Sequence, residues 1–221
     1  MKWYLDFGHG GKDSGAIGTN KTKESDTVLK IGMLIKNNLE QAFEKVITTR
    51  EEDKYYSLDY RSSKANKENC DYFVSIHMNS STNKSAKGVE VWVYDEKSKL
   101  YTLSKNICSN LSKTINTPNR GVKISKSFSV LRKTKMPALL IEIDFISNTS
   151  VEASLKSDIY IKNIATSISK SLLAFVNKSI VDDGIFYRVC IGEFKDMSTA
   201  VEIKNTAISK GFNNTHIINS L

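Results

Sequence analysis

The chain has 221 residues, 40% hydrophobic and 25% charged, which suits one medium soluble domain with a small appendage. No apolar run approaches the roughly eighteen residues that span a bilayer. The start, MKWYLDFGHG, has no apolar signal core and no small-residue cleavage site, so the expectation is a product made in the cytoplasm without a signal peptide and with no membrane partner.

The elements alternate along the chain. Residues 2–7 predict a buried strand. Residues 26–43 carry Val28, Ile31, Leu34, Ile35, Leu39 and Phe43 at helical spacing. KVITTR predicts a short strand, LDYRSSKANKEN a polar amphipathic helix, and DYFVSIH and GVEVWVY two buried strands. Residues 99–115 predict a helix with Leu103, Ile107 and Leu111 on one stripe, and PALLIEIDFI a strand opened by Pro137. A long helix follows, with Ile161, Ile164, Ala165, Ile168, Leu172, Phe175 and Val176 facing inward. This alternation predicts an α/β fold: a twisted, mostly parallel sheet covered by helices on both faces. Residues 178–184 predict a linker, and 185–221 a small βαβ unit whose helix is capped by Asp196 or Ser198 and stopped by Gly211.

Charge and cysteine usage add further limits. Residues 178–221 hold five basic and five acidic residues, so residues 1–177 carry the whole net charge of +8. Such a balance favours polyanionic partners: nucleic acid, anionic lipid or wall polymer. Cys70, Cys108 and Cys190 are scattered and odd in number, which predicts reduced thiols rather than a disulfide frame.

Histidine is scarce: three in the chain, with His216 expected to be structural. His9 lies in the glycine-rich turn FGHGGKDSG, whose spacing fits no phosphate-binding loop. A metal ligand and a plain tight turn remain. His77 ends the second buried strand. Functional groups of α/β sheets collect at strand carboxyl ends, and two imidazoles with one carboxylate and an open position make a catalytic zinc set. Spacing leaves the carboxylate open. Glu24 begins a helix, where an acid also complements the dipole. Glu142 lies within the apolar run ALLIEIDF, where an acid must be paired, ligated or held with a raised pKa.

LDFGHGGKDSGAIG, KESDTVL, the block TTREEDKYYSLDYRSSKANKENCDYFVSIHMNSS, GVEVWVY, NRGVK and VLRKTKMPALLIEIDFISN occur in that order. Together they resemble the type 3 zinc-dependent N-acetylmuramoyl-L-alanine amidases over residues 1–177. The resemblance implies Zn2+ held by His9, Glu24 and His77, and Glu142 as the catalytic glutamate. It implies hydrolysis of the amide between N-acetylmuramic acid and L-alanine, with peptidoglycan as substrate and no nucleic acid partner. Asn79 and Arg132 are candidates for holding substrate. Phe7 replaces the family's usual proline, and Asp144 its usual glycine; Asp144 is expected on the rim of the site, where it bears on substrate geometry. The segment FYRVCIGEFKDMSTAVEIKNTAISKGFNNTHII resembles half of a sporulation-related repeat, the type associated with peptidoglycan binding, which implies a wall-binding unit or a homodimer that shares one sheet. The implied setting is an endolysin or autolysin acting on the wall after release by a phage holin or by mother-cell lysis. Two other readings are a zinc hydrolase of a different amide and a non-catalytic binding protein using its basic face; RNA-binding signatures are missing.

Overall fold

The computed structural model describes residues 1–180, 192–212, 215 and 217. The chain divides into two units, Met1–Val181 and Asp182–Leu221.

The first unit is built on six strands: β1 (Lys2–Phe7), β2 (Lys45–Thr48), β3 (Tyr72–Asn79), β4 (Val89–Val93), β5 (Asn119–Ile124) and β6 (Ala138–Phe145), in the order β2-β1-β3-β6-β4-β5. Every neighbouring pair is parallel except β4–β6, so the mostly parallel α/β expectation holds. The helices are α1 (Glu24–Gln41), α2 (Leu58–Lys67), α3 (Tyr101–Ile115), α4 (Ser129–Lys133), α5 (Thr149–Ser154) and α6 (Asp158–Phe175).

The period-two alternation of the strands splits the interior into two layers. Trp3, Leu5, Phe7, Val74, Ile76, Leu139 and Ile141 face the larger core, filled by Val28, Ile31 and Ile35 of α1, Leu103 and Ile107 of α3, and Ile164 and Ile168 of α6. Tyr4, Phe73, Ala138 and Leu140 face the smaller one, with Ala65 of α2 and Val130 and Leu131 of α4. Phe43 departs from the expected inward stripe. It lies beyond the end of α1, in the left-handed region at φ 59°, and is 88% exposed. Its apolar spacing continued the helical pattern past the point where the chain turns into β2.

Polar groups in the smaller layer are tied together. Asp6 on β1 accepts from Arg61 Nη1 (2.7 Å), Thr49 Oγ1 (2.6 Å) and Ser75 Oγ (2.7 Å). Burial pushes the Asp6 carboxyl up, but the Arg61 charge and these hydrogen bonds override it and hold its pKa below the usual value. Arg61 also donates to the carbonyls of Phe7 (2.8 Å), His9 (2.9 Å) and Tyr56 (3.1 Å). Arg50 donates to the carbonyls of Phe7 (3.1 Å), Gly8 (2.9 Å), Ser25 (2.7 Å) and Glu52 (3.1 Å). Both arginines are 3% exposed.

Asp144 is not on the rim where sequence placed it. Its carboxylate accepts from Gly88 N (2.7 Å), Phe145 N (2.8 Å) and Thr117 Oγ1 (2.6 Å). It lines a pocket of ≈ 260 Å³ with Ile115, Thr117, Val151 and Tyr160, between the ends of α3, α5 and α6. These three donors satisfy a carboxylate that strand alternation alone would aim elsewhere.

In the second unit, α7 (Met197–Ser209) is capped by Asp196, whose Oδ1 accepts from Thr199 N at 2.8 Å, and Gly211 follows at φ 98°. The strands expected around it fall largely outside the described residues, as do Cys190 and His216. Cys70 and Cys108 are buried free thiols. No helix among the described residues is long and apolar enough to cross a membrane.

Arg61→Met leaves Asp6 buried without its cation, and is expected to cost about 3–5 kcal/mol in urea unfolding; a loss below about 1 kcal/mol would contradict the role given to the pair. Asp144→Ala strands the Thr117 and Gly88 donors and is expected to cost about 1–3 kcal/mol, seen as a lower urea midpoint at unchanged slope; an unchanged midpoint would show that the three bonds add nothing.

Candidate active site

His9 follows the carboxyl end of β1, Glu24 opens α1, and His77 lies near the end of β3. Each offers one ligand atom, and the three atoms lie within 4.8 Å of one another. Glu24 Oε1 is 2.9 Å from His77 Nδ1 and 3.2 Å from His9 Nε2. The same oxygen accepts from Met78 N (3.0 Å), and Oε2 from Ala16 N (2.8 Å). The rings of His9 and His77 meet edge to face, centroids 5.0 Å apart.

Local geometry explains the glycines. The turn packs tightly: a Cβ on Gly8 would fall 2.3 Å from His77 Cε1. One on Gly15, at φ 65°, would fall 2.6 Å from both Glu24 Oε2 and His9 Cδ2. His9 itself sits at φ 58°, a strained conformation for a residue with a Cβ. The Arg61 and Arg50 bonds to the carbonyls on either side hold it there.

The electrostatics are those of an ion cluster. Burial pushes the Glu24 carboxyl up, but hydrogen bonds from His77 and His9 bring it far below the usual range. Burial pushes His9 down, yet Glu24 and Asp13 raise it to about 9. His77 is raised by Glu24 against the same effect of burial. Asp13, four residues after His9 in the same turn, is a functional neighbour that the spacing did not single out. Its Oδ2 lies 2.9 Å from His9 Nδ1, and its Oδ1 accepts from Gly15 N at 3.0 Å. A carboxylate on the far nitrogen of an imidazole fixes the ring and its tautomer, leaving Nε2 aimed at Glu24.

Glu142 stands opposite His77 in the β3–β6 ladder and opposite Glu90 in the β4–β6 ladder. Its Oε2 is buried and has no hydrogen-bond partner among the described residues. Burial raises its pKa to about 7; the His77 charge opposes this, while Glu24 and Glu90 add to it. Glu90 is itself held by Arg120 and by Asn79 Nδ2 at 3.4 Å. A register shift between His77 and Asn79 re-aims the end of β3, as bulges beside active sites commonly do.

A cleft of ≈ 380 Å³ joins these groups. His9, Asp13, Glu24, His77, Asn79 and Glu142 line it, together with Tyr55, Tyr56, Leu58, Phe128 and Val130. Asn79 is thus brought to the site. Arg132, on the exposed side of α4, is not in the lining. Two imidazole nitrogens and a carboxylate oxygen converging on one point, with a further buried acid alongside, form a donor set suited to a divalent cation and to hydrolytic chemistry.

Comparison with known proteins gives the family. The profile of the N-acetylmuramoyl-L-alanine amidase family matches residues 4–174. The sporulation-specific N-acetylmuramoyl-L-alanine amidase of Bacillus subtilis (strain 168) is 34% identical over 215 residues, which are 96% of this chain and 82% of that one. The endolysin of Bacillus phage SPP1 is 37% identical over 182 residues, covering 79% of this chain and 65% of its own length. Among solved structures, the N-acetylmuramoyl-L-alanine amidase AmiC2 of Nostoc punctiforme superposes with a TM-score of 0.75 at 33% identity, over 80% of this chain and 98% of that one. Profile, relatives and fold lead to one conclusion: this chain belongs to the N-acetylmuramoyl-L-alanine amidase family and is a peptidoglycan amidase.

Proposed function

We propose that the chain is a zinc amidase in which His9, Glu24 and His77 hold Zn2+, and Glu142 carries the proton in hydrolysis of the amide between the lactyl group of N-acetylmuramic acid and L-alanine. The observation that carries this reading is the buried, unpartnered Oε2 of Glu142, opposite His77 and beside three converging ligand atoms. When bound, Zn2+ polarises a carbonyl and brings the pKa of a water down to about 7.

The protein's own residues do the rest. Asp13 holds the His9 ring, and the backbone N–H groups of Met78 and Ala16 hold the Glu24 carboxylate, so the ligand set is oriented in advance. Glu142 Oε2, with no partner to release, accepts a proton from the attacking water and delivers it to the leaving amide nitrogen. A carboxyl raised to about 7 can do both near neutral pH. Asn79, at the end of β3, is the candidate for orienting substrate. Its amide nitrogen is directed to Glu90, and its Oδ1 accepts from Ser80 N at 2.8 Å.

The second unit supports a role at the wall. The match to the Bacillus subtilis relative spans 96% of the chain, more than the family profile covers, so the region beyond the catalytic unit is shared with a sporulation amidase. We assign residues 178–184 as linker and 185–221 as a half-length sporulation-related repeat that binds peptidoglycan or pairs with a second copy. On this reading the enzyme reaches the wall after holin action or mother-cell lysis.

Glu142→Gln is expected to keep zinc at the wild-type stoichiometry by metal analysis while releasing no peptide from muropeptides; retained turnover would remove Glu142 from the proton path. His77→Ala is expected to lose bound zinc, and full retention would place the metal elsewhere. Pairing through the second unit predicts a light-scattering mass twice the 24.8 kDa of one chain; a mass equal to one chain leaves wall binding as that unit's role.

A further inference from the structure

The cleft continues past the ligand cluster into a wall with its own chemistry. Tyr55, Tyr56 and Leu58, on the segment leading from β2 into α2, line it. Tyr55 is 41% exposed and Leu58 58%, an apolar surface facing solvent beside a polar site. Lys12 Nζ lies 4.6 Å from the centroid of the Tyr55 ring, and Lys54 Nζ 5.7 Å from that of Tyr56, both within cation–π range. The wall is therefore aromatic and cationic together.

Its acids are already engaged. Asp13 is tied to His9 and Gly15, Asp53 accepts from Gly11 N at 2.7 Å, and Asp59 pairs with Lys133. Glu52 lies 3.9 Å from Lys54 and offsets part of its charge. Lys12 has no carboxylate within salt-bridge distance among the described residues. The uncompensated charge on the wall is positive.

The wall is also locked to the ligand set. A Cβ on Gly10 would fall 2.3 Å from the Lys54 carbonyl oxygen, and one on Gly11 2.8 Å from Tyr55 N. The His9 turn and the 53–55 segment thus touch backbone to backbone, and a group seated on Tyr55 has a set offset from the reacting amide.

This inference rests on the amidase reading. In that substrate the lactyl carboxyl is consumed in the scissile amide, so the acetylated sugars carry no charge. The remaining carboxylates all lie on the peptide stem. We propose that Lys12, Tyr55, Tyr56 and Leu58 form the subsite for the acidic peptide stem, on the amine side of the cleaved bond. The lysine meets a stem carboxylate, and the rings and Leu58 cover its aliphatic parts.

The test compares kcat/KM on two soluble substrates: N-acetylmuramoyl-L-alanine methylamide, which has no carboxylate, and N-acetylmuramoyl-tetrapeptide. Lys12→Ala is expected to lower the tetrapeptide value roughly two- to fivefold, the worth of a partly exposed charge contact, mainly through KM. Lys12→Glu should lower it further, and Tyr55→Leu should lower it as well. The methylamide value should stay constant in all three. Equal losses on both substrates, or none on either, would overturn the subsite while leaving the amidase intact. On a third substrate, the methylamide extended by N-acetylglucosamine, no loss is expected; a loss there without one on the tetrapeptide would give the wall to the glycan and overturn it too. No peptide release by the unsubstituted enzyme would sink the amidase reading, and this inference with it.

Discussion

Two buried guanidinium groups hold the turn on which the site depends. His9 occupies a left-handed backbone conformation at φ 58° that its side chain does not favour. Arg61 donates to the carbonyls of Phe7 and His9, and Arg50 to those of Phe7, Gly8 and Ser25. One turn and the start of α1 are thereby fastened to the same pair of side chains. Ser25 follows Glu24, so the clamp sets the distance between two of the three ligand atoms. Breaking it would release strain where the site requires it to be kept.

The clamp has an electrostatic side. Arg61 is balanced by Asp6, which also reaches Thr49 and Ser75 and so joins β1 to the β2 end and to β3. Arg50 donates to backbone carbonyls alone; burial, then the charge of Arg61, lower its pKa. Despite its burial, Glu24 is kept ionised by its hydrogen bonds from His77 and His9. Glu142 lies opposite Glu90 in the neighbouring strand, and its Oε2 has no partner among the described residues. One site thus keeps a glutamate at the start of α1 charged and a glutamate on β6 readily protonated, a division of roles that acid–base chemistry at neutral pH needs.

Much of this was legible in the sequence, because strand periodicity places residues at strand ends without knowledge of packing. His9, His77 and Glu142 follow from that, and Glu24 from the resemblance rather than from spacing. The edge strand β5 was not visible: NRGVKI is exposed or half-buried at every position and has no apolar face to reveal it. Arg50, at the end of KVITTR, and Arg61, in a polar helix, look like surface charge. Their role depends on carbonyls 25 to 54 residues away in the chain, which periodicity does not report. Asp144 was misplaced for a related reason. Its direction is decided by Gly88 and Thr117, on segments whose approach only the fold brings about.

The central claim is that His9, Glu24 and His77 share one zinc ion with Glu142 beside it and unligated. Diffraction from zinc-loaded crystals at the zinc absorption edge tests this most directly. The account predicts one anomalous peak about 2.0–2.2 Å from one nitrogen of each histidine and one oxygen of Glu24, with Glu142 not bonded to it. A peak ligated by Glu142 in place of Glu24, or located away from these three side chains, would contradict it.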